Sequence, residues 1–181
     1  MKRKSCLSVI AGIYKGRKLL CPENVRPLTG LCKKSLFDIL EGRLAGAGFL
    51  DLFSGTGSVG IEALSRGAAF TAFVEQAGGV VEILRENLER MNVPQDKYRI
   101  LQMDAVVFPS QDTEKYDIIF IGPPYKFTLP VDFIDKTFEI LSTGGIVICQ
   151  HSSKVKTSFV RAPFRTKKFG ITTLDFYEQG K

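Results

Sequence analysis

The chain has 181 residues, of which 44% are hydrophobic and 24% charged, and its net charge is +6. This length suits one well-buried domain with a small extension and is short for two domains. No apolar run approaches the roughly 18 residues that cross a bilayer. The segment after the basic residues 1–5 does not resemble a signal-peptide core. We therefore expect a cytoplasmic protein with no membrane partner, and we expect a monomer.

The four cysteines, Cys6, Cys21, Cys32 and Cys149, are widely spaced and form no CxxC pair. Such usage is typical of a cytosolic chain with reduced, mostly buried thiols. We expect no metal site.

Positive charge is concentrated at the two ends of the chain. Residues 1–50 contain ten lysines and arginines against three acidic residues, a net charge of +7. Residues 51–150 contain eight against fourteen (−6), and residues 151–181 contain seven against two (+5). This segregation favours a small-molecule pocket in the middle and a polyanion held by the flanks. The alternative is that these cations merely solvate surface strands.

The first 44 residues predict an extension ahead of the main domain. Residues 7–21 alternate loosely around Gly12 and predict a hairpin, with Lys15, Arg17 and Lys18 at its turn and second strand. A linker, 22–27, precedes apolar residues at helical spacing between 28 and 40, where Gly42 ends the helix. We expect residues 1–44 to contact a nucleic acid and residues 45–181 to form the core domain.

From residue 49 onward, apolar strands alternate with helices. We expect strands at 49–53, 70–75, 98–103, 116–121 and 145–150, and helices at 58–66, 77–91 and 131–141. Segments 164–169 and 171–177 predict a closing hairpin around Gly170. Helix-alternating apolar strands predict an α/β fold with a parallel sheet covered on both faces.

Residues 48–60 carry the strongest local signal. An apolar strand interrupted by Asp51 is followed by Gly55, Gly57 and Gly60 and by the start of a helix. This order presents a nucleotide-like ligand at the carboxyl end of a strand. The glycines match G-x-G-x-x-G, so a nicotinamide-dependent enzyme is one interpretation. Asp51 disfavours it, because a carboxylate repels a pyrophosphate but pairs with an amino group or cationic centre.

Two further carboxylates follow the next strands. Glu75 ends the second strand, where it can accept both hydroxyls of a ribose. Asp104 ends the third strand and is placed to accept from an adenine amino group.

The fourth strand leads into Gly122-Pro123-Pro124-Tyr125. Two prolines cannot continue a ladder, so they predict a rigid turn that offers carbonyl acceptors at the ligand edge. Tyr125 adds a flat stacking surface. Methyl transfer to the exocyclic amine of a base needs such a site, because acceptors stabilise the positive charge that develops on the nitrogen. The alternative is a structural turn with a core tyrosine.

These motifs together resemble the class I S-adenosylmethionine-dependent methyltransferases, and within them the bacterial 16S ribosomal RNA guanine-N2 methyltransferases. The resemblance spans nearly the whole chain, but singly only 50–57 and the Pro-Pro-Tyr stretch are specific. The matching segments are 10–12, 15–19, 26–27, 35–40, 50–57, 62–68, 73–75, Asn87, Asp104-Ala105, 123–125 and 168–170.

The resemblance implies a seven-stranded Rossmann-like domain that binds S-adenosylmethionine and releases S-adenosylhomocysteine. It implies 16S rRNA, or the assembling small ribosomal subunit, as partner, with a guanine flipped into the site. The implied cofactor residues are Asp51, Phe53, Ser54, Gly55, Thr56, Gly57, Glu75, Asp104 and Ala105, and the implied catalytic residues are Gly122, Pro123, Pro124 and Tyr125. The candidate RNA contacts, chosen for their charge, are Lys15, Arg17, Lys18, Arg26, Lys167 and Lys168. The last two form, with Lys154, Lys156, Arg161 and Arg165, either a clamp on RNA or a solvated edge.

Two departures from the family pattern leave a second interpretation open. The family has Asp, sometimes Asn, where this chain has Gly122, and an Asp-Arg pair where it has Gly30-Leu31. The first removes a side-chain acceptor for the guanine amine, and the second removes a polar or RNA-facing contact. The chain is then either a slow methyltransferase or a non-catalytic ribosome-assembly factor on the same fold.

Overall fold

The computed structural model describes residues 3–23, 28–154 and 159–178. No helix within these ranges is long and apolar enough to span a bilayer. The chain begins with hairpin strands β1 (Arg3–Ser8) and β2 (Lys18–Pro22) and helix α1 (Gly30–Ile39). The other elements are β3 (Gly48–Leu52), α2 (Ser58–Ser65), β4 (Phe70–Val74), α3 (Gly78–Met91), β5 (Tyr98–Leu101), β6 (Tyr116–Ile121), α4 (Phe133–Phe138), β7 (Leu141–Ser152), β8 (Arg165–Phe169) and β9 (Thr172–Glu178).

Strands β3 to β9 form one seven-stranded sheet in the order β5-β4-β3-β6-β7-β9-β8. Strands β3 to β7 are parallel, and β9 runs antiparallel to both β7 and β8. The carboxyl ends of the five parallel strands therefore meet at one edge, here called the carboxyl edge. The start of β9 and the end of β8 lie at this same edge. The predicted α/β fold, with its closing antiparallel hairpin, is confirmed.

Helices cover both faces of the sheet. Alternate side chains of β3 point to opposite faces, so Phe49 packs with α1 and α2 while Leu50 packs with α4. Phe73 of β4 packs against α2, α3 and the amino-terminal hairpin. The described part of the extension is thus packed on the domain, and the proposed boundary between residues 44 and 45 stays a prediction.

Several elements differ from the predicted bounds, such as α4, which is shorter than the predicted 131–141, and local contacts account for three of the others. Strand β1 starts at Arg3, which pairs with Pro22 of β2. It ends at Ser8, before the N–H groups of Ile10 and Ala11 bond to Glu62. Strand β7 starts earlier, at Leu141, because that residue pairs with Tyr116 ahead of a register shift. Strand β5 ends early because the chain turns after Leu101.

The cysteine prediction is wrong for Cys21, which is disulfide-bonded. Absence of CxxC spacing excludes only a local pair, and strand pairing brings distant residues together. Cys32 and Cys149 are free and buried as expected. The side chain of Cys6 lies outside the described part of the chain.

A buried charge cluster fixes the hairpin to the domain. The Glu62 carboxylate, fully buried in α2, accepts the N–H groups of Ile10 at 2.8 Å and Ala11 at 2.9 Å. It also pairs with Lys33 Nζ at 3.0 Å and Arg66 Nε at 2.9 Å. Burial raises the pKa of Glu62, but these donors outweigh it and lower the pKa overall. Glu62 is therefore a charged anchor for the extension.

Replacing Glu62 with glutamine is expected to destabilise the protein by about 3–5 kcal/mol, because it leaves the Lys33 ammonium buried and unpaired. Urea unfolding measures the loss. The matched control is Asp38→Asn, which breaks the exposed Lys34–Asp38 pair and is expected to cost at most about 0.5 kcal/mol. Adding Lys33→Met to Glu62→Gln should recover part of the stability. Equal losses in Glu62→Gln and Asp38→Asn would contradict the anchor role.

Candidate functional site

A cavity of about 540 Å³ opens at the carboxyl edge, where the chain reverses its winding between β3 and β6. Ligands of open α/β sheets bind at this topological switch point. Eleven of the predicted cofactor and catalytic residues line it: Asp51, Phe53, Ser54, Gly55, Thr56, Glu75, Ala105, Gly122, Pro123, Pro124 and Tyr125.

Asp51 is the buried carboxylate of the cavity, with 1% of its surface exposed. Its Oδ2 accepts the N–H of Gly60 at 2.8 Å, which ties the strand to the first turn of α2. Burial raises the pKa of Asp51 to about 7, helped by the nearby Glu75 charge and opposed by the Gly60 hydrogen bond. A cationic group entering the cavity would favour the charged form.

The turn after β3 is shaped by residues with positive φ. Phe53 has φ 60°, and its ring lies 5.4 Å from that of Phe127 across the cavity lining. Gly57 has φ 82°, and a Cβ there would lie 2.4 Å from Leu84 Cδ1. Only glycine fits at this position, which lets α2 begin directly beneath the cavity.

Of the two carboxylate residues Glu75 and Asp104, only Glu75 lines the cavity. Glu75 follows β4 and lines the cavity, where its two carboxylate oxygens accept N–H groups of Gly55 at 3.0 Å and Ala77 at 2.9 Å. Asp104 is exposed and is not among the lining residues, although its neighbour Ala105 is. Its Oδ1 accepts the N–H of Val106 at 2.9 Å. A contact between Asp104 and an adenine stays a prediction.

The Pro-Pro-Tyr turn lines the same cavity as Asp51. The N–H of Gly122 donates to the Leu52 carbonyl at 3.0 Å, so the sheet pairing ends there. Pro123 and Pro124 have no N–H, and their backbone offers only acceptors. The Tyr125 hydroxyl lies 2.5 Å from Thr172 Oγ1 at the start of β9.

The cavity suits the groups of S-adenosylmethionine, namely an amino group, ribose hydroxyls and an adenine. Asp51 and Glu75 provide the carboxylates, and apolar residues such as Val80 provide the walls. Ser58 Oγ is buried and has no hydrogen-bond partner within the described ranges, although the residue lines the cavity. A polar group of a ligand in the cavity could satisfy this hydroxyl.

Several lining residues were missed from the sequence: Cys21, Pro22, Leu28, Ser58, Val59, Val74, Gln76, Val80, Phe120, Phe127 and Gln150. Most belong to elements that reach the cavity only through the tertiary fold. Ser58 and Gln76 could have been found from the sequence, because each directly follows a residue that was predicted to bind the ligand.

The predicted RNA contacts fall at two edges of the sheet. Lys15, Arg17 and Lys18 are exposed, and Arg17 donates to the carbonyl of Met91, the last residue of α3. Crossover helices end at the edge opposite the strand carboxyl ends, so this hairpin tip lies away from the cavity.

Lys167 and Lys168 are exposed on the outermost strand, β8. Lys168 pairs in register with Thr173, next to the start of β9 at the carboxyl edge. Arg26 and Lys156 lie outside the described residues. The RNA contacts all stay predictions.

A family model described as conserved hypothetical protein 95 matches residues 7–178. The chain belongs to this family. A curated relative, ribosomal RNA small subunit methyltransferase D of Escherichia coli K12, is 31% identical over 141 residues, which are 77% of this chain and 68% of that relative. The protein of the same name from Haemophilus influenzae is 33% identical over 130 residues, covering 70% of this chain and 67% of the relative.

A solved structure shares the fold of this chain. The hypothetical protein TTHA0928 of Thermus thermophilus superposes with a TM-score of 0.84 at 26% identity, covering 96% of this chain and 99% of that one. The chain thus has a methyltransferase fold, and its resemblance to the S-adenosylmethionine-dependent rRNA methyltransferases is confirmed.

Proposed function

We propose that the protein transfers a methyl group from S-adenosylmethionine to the exocyclic N2 of a guanine in the 16S rRNA of the small ribosomal subunit. The observation that carries this proposal is that the Pro123–Tyr125 turn shares one cavity with Asp51 and Glu75. Relatives named for methylation of small-subunit rRNA support it. The substrate is then the rRNA itself or the assembling subunit.

Each residue of the cavity would bind the part of the cofactor or of the base that matches its chemistry. S-adenosylmethionine, when bound, supplies an electrophilic methyl group on a sulfonium. Asp51 would hold its amino group, Glu75 its ribose hydroxyls and Ser58 a further polar group. The carbonyls of the prolyl turn would accept the N–H groups of the guanine amine, and Tyr125 would stack on the base. Together these residues fix the nitrogen and stabilise the positive charge that develops on it.

Gly122 leaves this site one acceptor short of the family pattern. A preorganised polar partner of this kind is worth on the order of 3 kcal/mol, or roughly 10²-fold in rate. We therefore expect slow transfer, or positioning of the amine by main-chain carbonyls alone. The same residue favours a second candidate, a ribosome-assembly factor that binds RNA and cofactor without transferring the methyl group.

The deciding experiment is transfer of tritium from labelled cofactor to small-subunit particles, followed by mapping of the modified base. The proposal predicts label on guanine N2 in particles that lack the modification. Cofactor binding without transfer to any RNA would select the assembly factor.

A thermal-shift comparison tests the cofactor itself. S-adenosylhomocysteine at 100 times its dissociation constant should stabilise the folded protein by about 2.7 kcal/mol, a shift of several degrees. NAD at the same concentration should leave the melting temperature unchanged. Stabilisation by NAD but not by S-adenosylhomocysteine would instead support a nicotinamide-dependent oxidoreductase.

A further inference from the structure

We propose that Thr172 is a positioning residue for methyl transfer, whose hydroxyl holds the Tyr125 ring in the orientation that stacks the substrate base. This inference rests on the proposed function and assigns a role to a residue of the closing hairpin. The contact behind it is a hydrogen bond of 2.5 Å between Tyr125 Oη and Thr172 Oγ1, which joins residues 47 positions apart.

The two partners differ in how firmly the backbone holds them. Tyr125 lies in an irregular stretch between β6 and α4, secured locally by the bond from the Phe127 N–H to the Pro124 carbonyl at 2.8 Å. Thr172 begins β9 and pairs with Ser152 of β7 and Phe169 of β8. Thr172 is also buried, with 3% of its surface exposed. The strand is therefore the fixed partner, and the loop residue is the one being held.

The prolines cannot fix the ring by themselves. Pro123 and Pro124 restrict the backbone ahead of Tyr125, but the tyrosine χ1 and χ2 torsions remain free to rotate. Tyr125 is only half-buried, so packing leaves one side open to the cavity. A hydrogen bond at the far end of the ring fixes where that end lies and so restricts χ1, which sets the direction in which the ring projects. A base stacked on that ring would keep its amine aligned with the donor methyl group.

The same bond connects the stacking surface to the basic strand. Thr172 pairs directly with Phe169, and Lys168 precedes Phe169 on β8. RNA held by the exposed β8 lysines would thus be joined through one residue pair to the ring that receives the base. Misplacement of a reacting group by about 1 Å can cost roughly 10²-fold in rate. Loss of the Thr172 hydroxyl should therefore slow transfer without emptying the cofactor site.

The strands offer a matched control. Thr173 Oγ1 lies 2.7 Å from Ser153 Oγ, a second hydroxyl pair one residue further along β9. Thr173 is equally buried, at 2% exposure. Thr172→Val and Thr173→Val each remove one buried hydroxyl pair with the same change of side chain, and only the first pair includes Tyr125.

The experiment compares Thr172→Val, Thr172→Ser, Thr173→Val, Tyr125→Phe and the Thr172→Val/Tyr125→Phe double variant in single-turnover methyl transfer to small-subunit particles. We expect Thr172→Val to lower the rate roughly 10- to 100-fold, with the thermal shift by S-adenosylhomocysteine unchanged. Thr172→Ser should restore the rate, and Thr173→Val should keep it. The double variant should be no slower than Tyr125→Phe, because both changes remove the same bond.

Three results would overturn the positioning role: a wild-type rate in Thr172→Val, an equal loss in Thr173→Val, or losses that multiply in the double variant. A Tyr125→Phe variant much slower than Thr172→Val would also overturn it, because the hydroxyl would then act on the substrate. If the wild-type protein transfers no methyl group at all, the proposed function fails separately. The χ1 rotamer of Tyr125, measured from side-chain coupling constants, then decides the inference: one rotamer in the wild-type protein and averaging over several in Thr172→Val support it, and equal populations in both refute it.

Discussion

Replacing Asp51 with asparagine is expected to stabilise the ligand-free protein above pH 7 and to abolish its stabilisation by S-adenosylhomocysteine. The buried carboxyl has a pKa of about 7, against about 3.9 in an unfolded chain. A carboxyl whose pKa is higher in the folded than in the unfolded state destabilises the folded protein. This destabilisation grows as the pH rises from the pKa of the unfolded state to that of the folded state. The penalty is therefore absent below about pH 4, grows up to pH 7 and is then complete, at roughly 4 kcal/mol.

Asparagine avoids this penalty and keeps an oxygen for the Gly60 N–H, which Asp51 accepts at 2.8 Å. The melting temperature of Asp51→Asn should exceed that of the wild-type protein by a few degrees at pH 8, and the difference should shrink as the pH falls. The gain is smaller than the full penalty because the buried amide nitrogen needs an acceptor of its own. Calorimetry at several pH values measures the difference.

Ionisation of Asp51 should also control ligand affinity, which should rise with pH while the stability of the ligand-free protein falls. Pairing with the ligand amino group requires the ionised carboxyl, so wild-type affinity for S-adenosylhomocysteine should weaken up to about tenfold per pH unit below 7. Asp51→Asn should bind weakly at every pH. Asp117→Asn is the control, because Asp117 also accepts a backbone N–H at 2.8 Å but is exposed at the opposite edge. Identical wild-type affinities at pH 6 and pH 8 would contradict the role of Asp51.

Much of this site could be predicted because the topology brings its residues together. The central strands are short apolar runs, and the predicted strand 116–121 coincides with β6. Parallel strands place their carboxyl ends side by side, so residues at or just after those ends, such as Asp51, Glu75 and Tyr125, meet at one edge. Predicting where the parallel strands end is therefore enough to predict that these residues lie near one another.

What could not be predicted depends on contacts between distant parts of the chain. Asp104 follows a strand end like Glu75, but its carboxylate bonds to the N–H of Val106 and is exposed. The hairpin tip with Arg17 carries the expected charge, yet packing on α3 places it at the far edge. The Tyr125–Thr172 bond joins the prolyl turn to the start of β9, and their approach depends on β9 lying between β7 and β8. No spacing rule encodes such approaches.

Introducing aspartate at Gly122 is expected to raise the rate of methyl transfer by roughly 10²-fold, because it restores a side-chain acceptor next to the prolyl turn. The structure adds a cost that the sequence did not show. A Cβ at residue 122 would lie 2.8 Å from Cε1 of Phe120, a buried ring that also lines the cavity. The ring must move, and overpacking of this kind costs about 1–3 kcal/mol. Gly122→Asp should therefore melt earlier while reacting faster.

Gly122→Ala separates these two effects, because it adds the same Cβ without the carboxylate. Its melting temperature should fall about as far as that of Gly122→Asp, while its rate stays at or below that of the wild-type protein. Adding Phe120→Leu to Gly122→Asp should recover stability, since the shorter side chain vacates the space that the new Cβ occupies. Tritium incorporation into small-subunit particles measures the rate, and unfolding measures the packing cost.

The outcome for the folded variants decides which of the two candidate functions holds. If Gly122→Asp is no faster than Gly122→Ala, the missing acceptor does not limit the reaction, and main-chain carbonyls position the amine alone. If the wild-type protein is inactive and Gly122→Asp is active, this one position separates an enzyme from an assembly factor on the same cavity. If both are inactive while S-adenosylhomocysteine still raises their melting temperatures, the protein uses the fold to bind rather than to methylate.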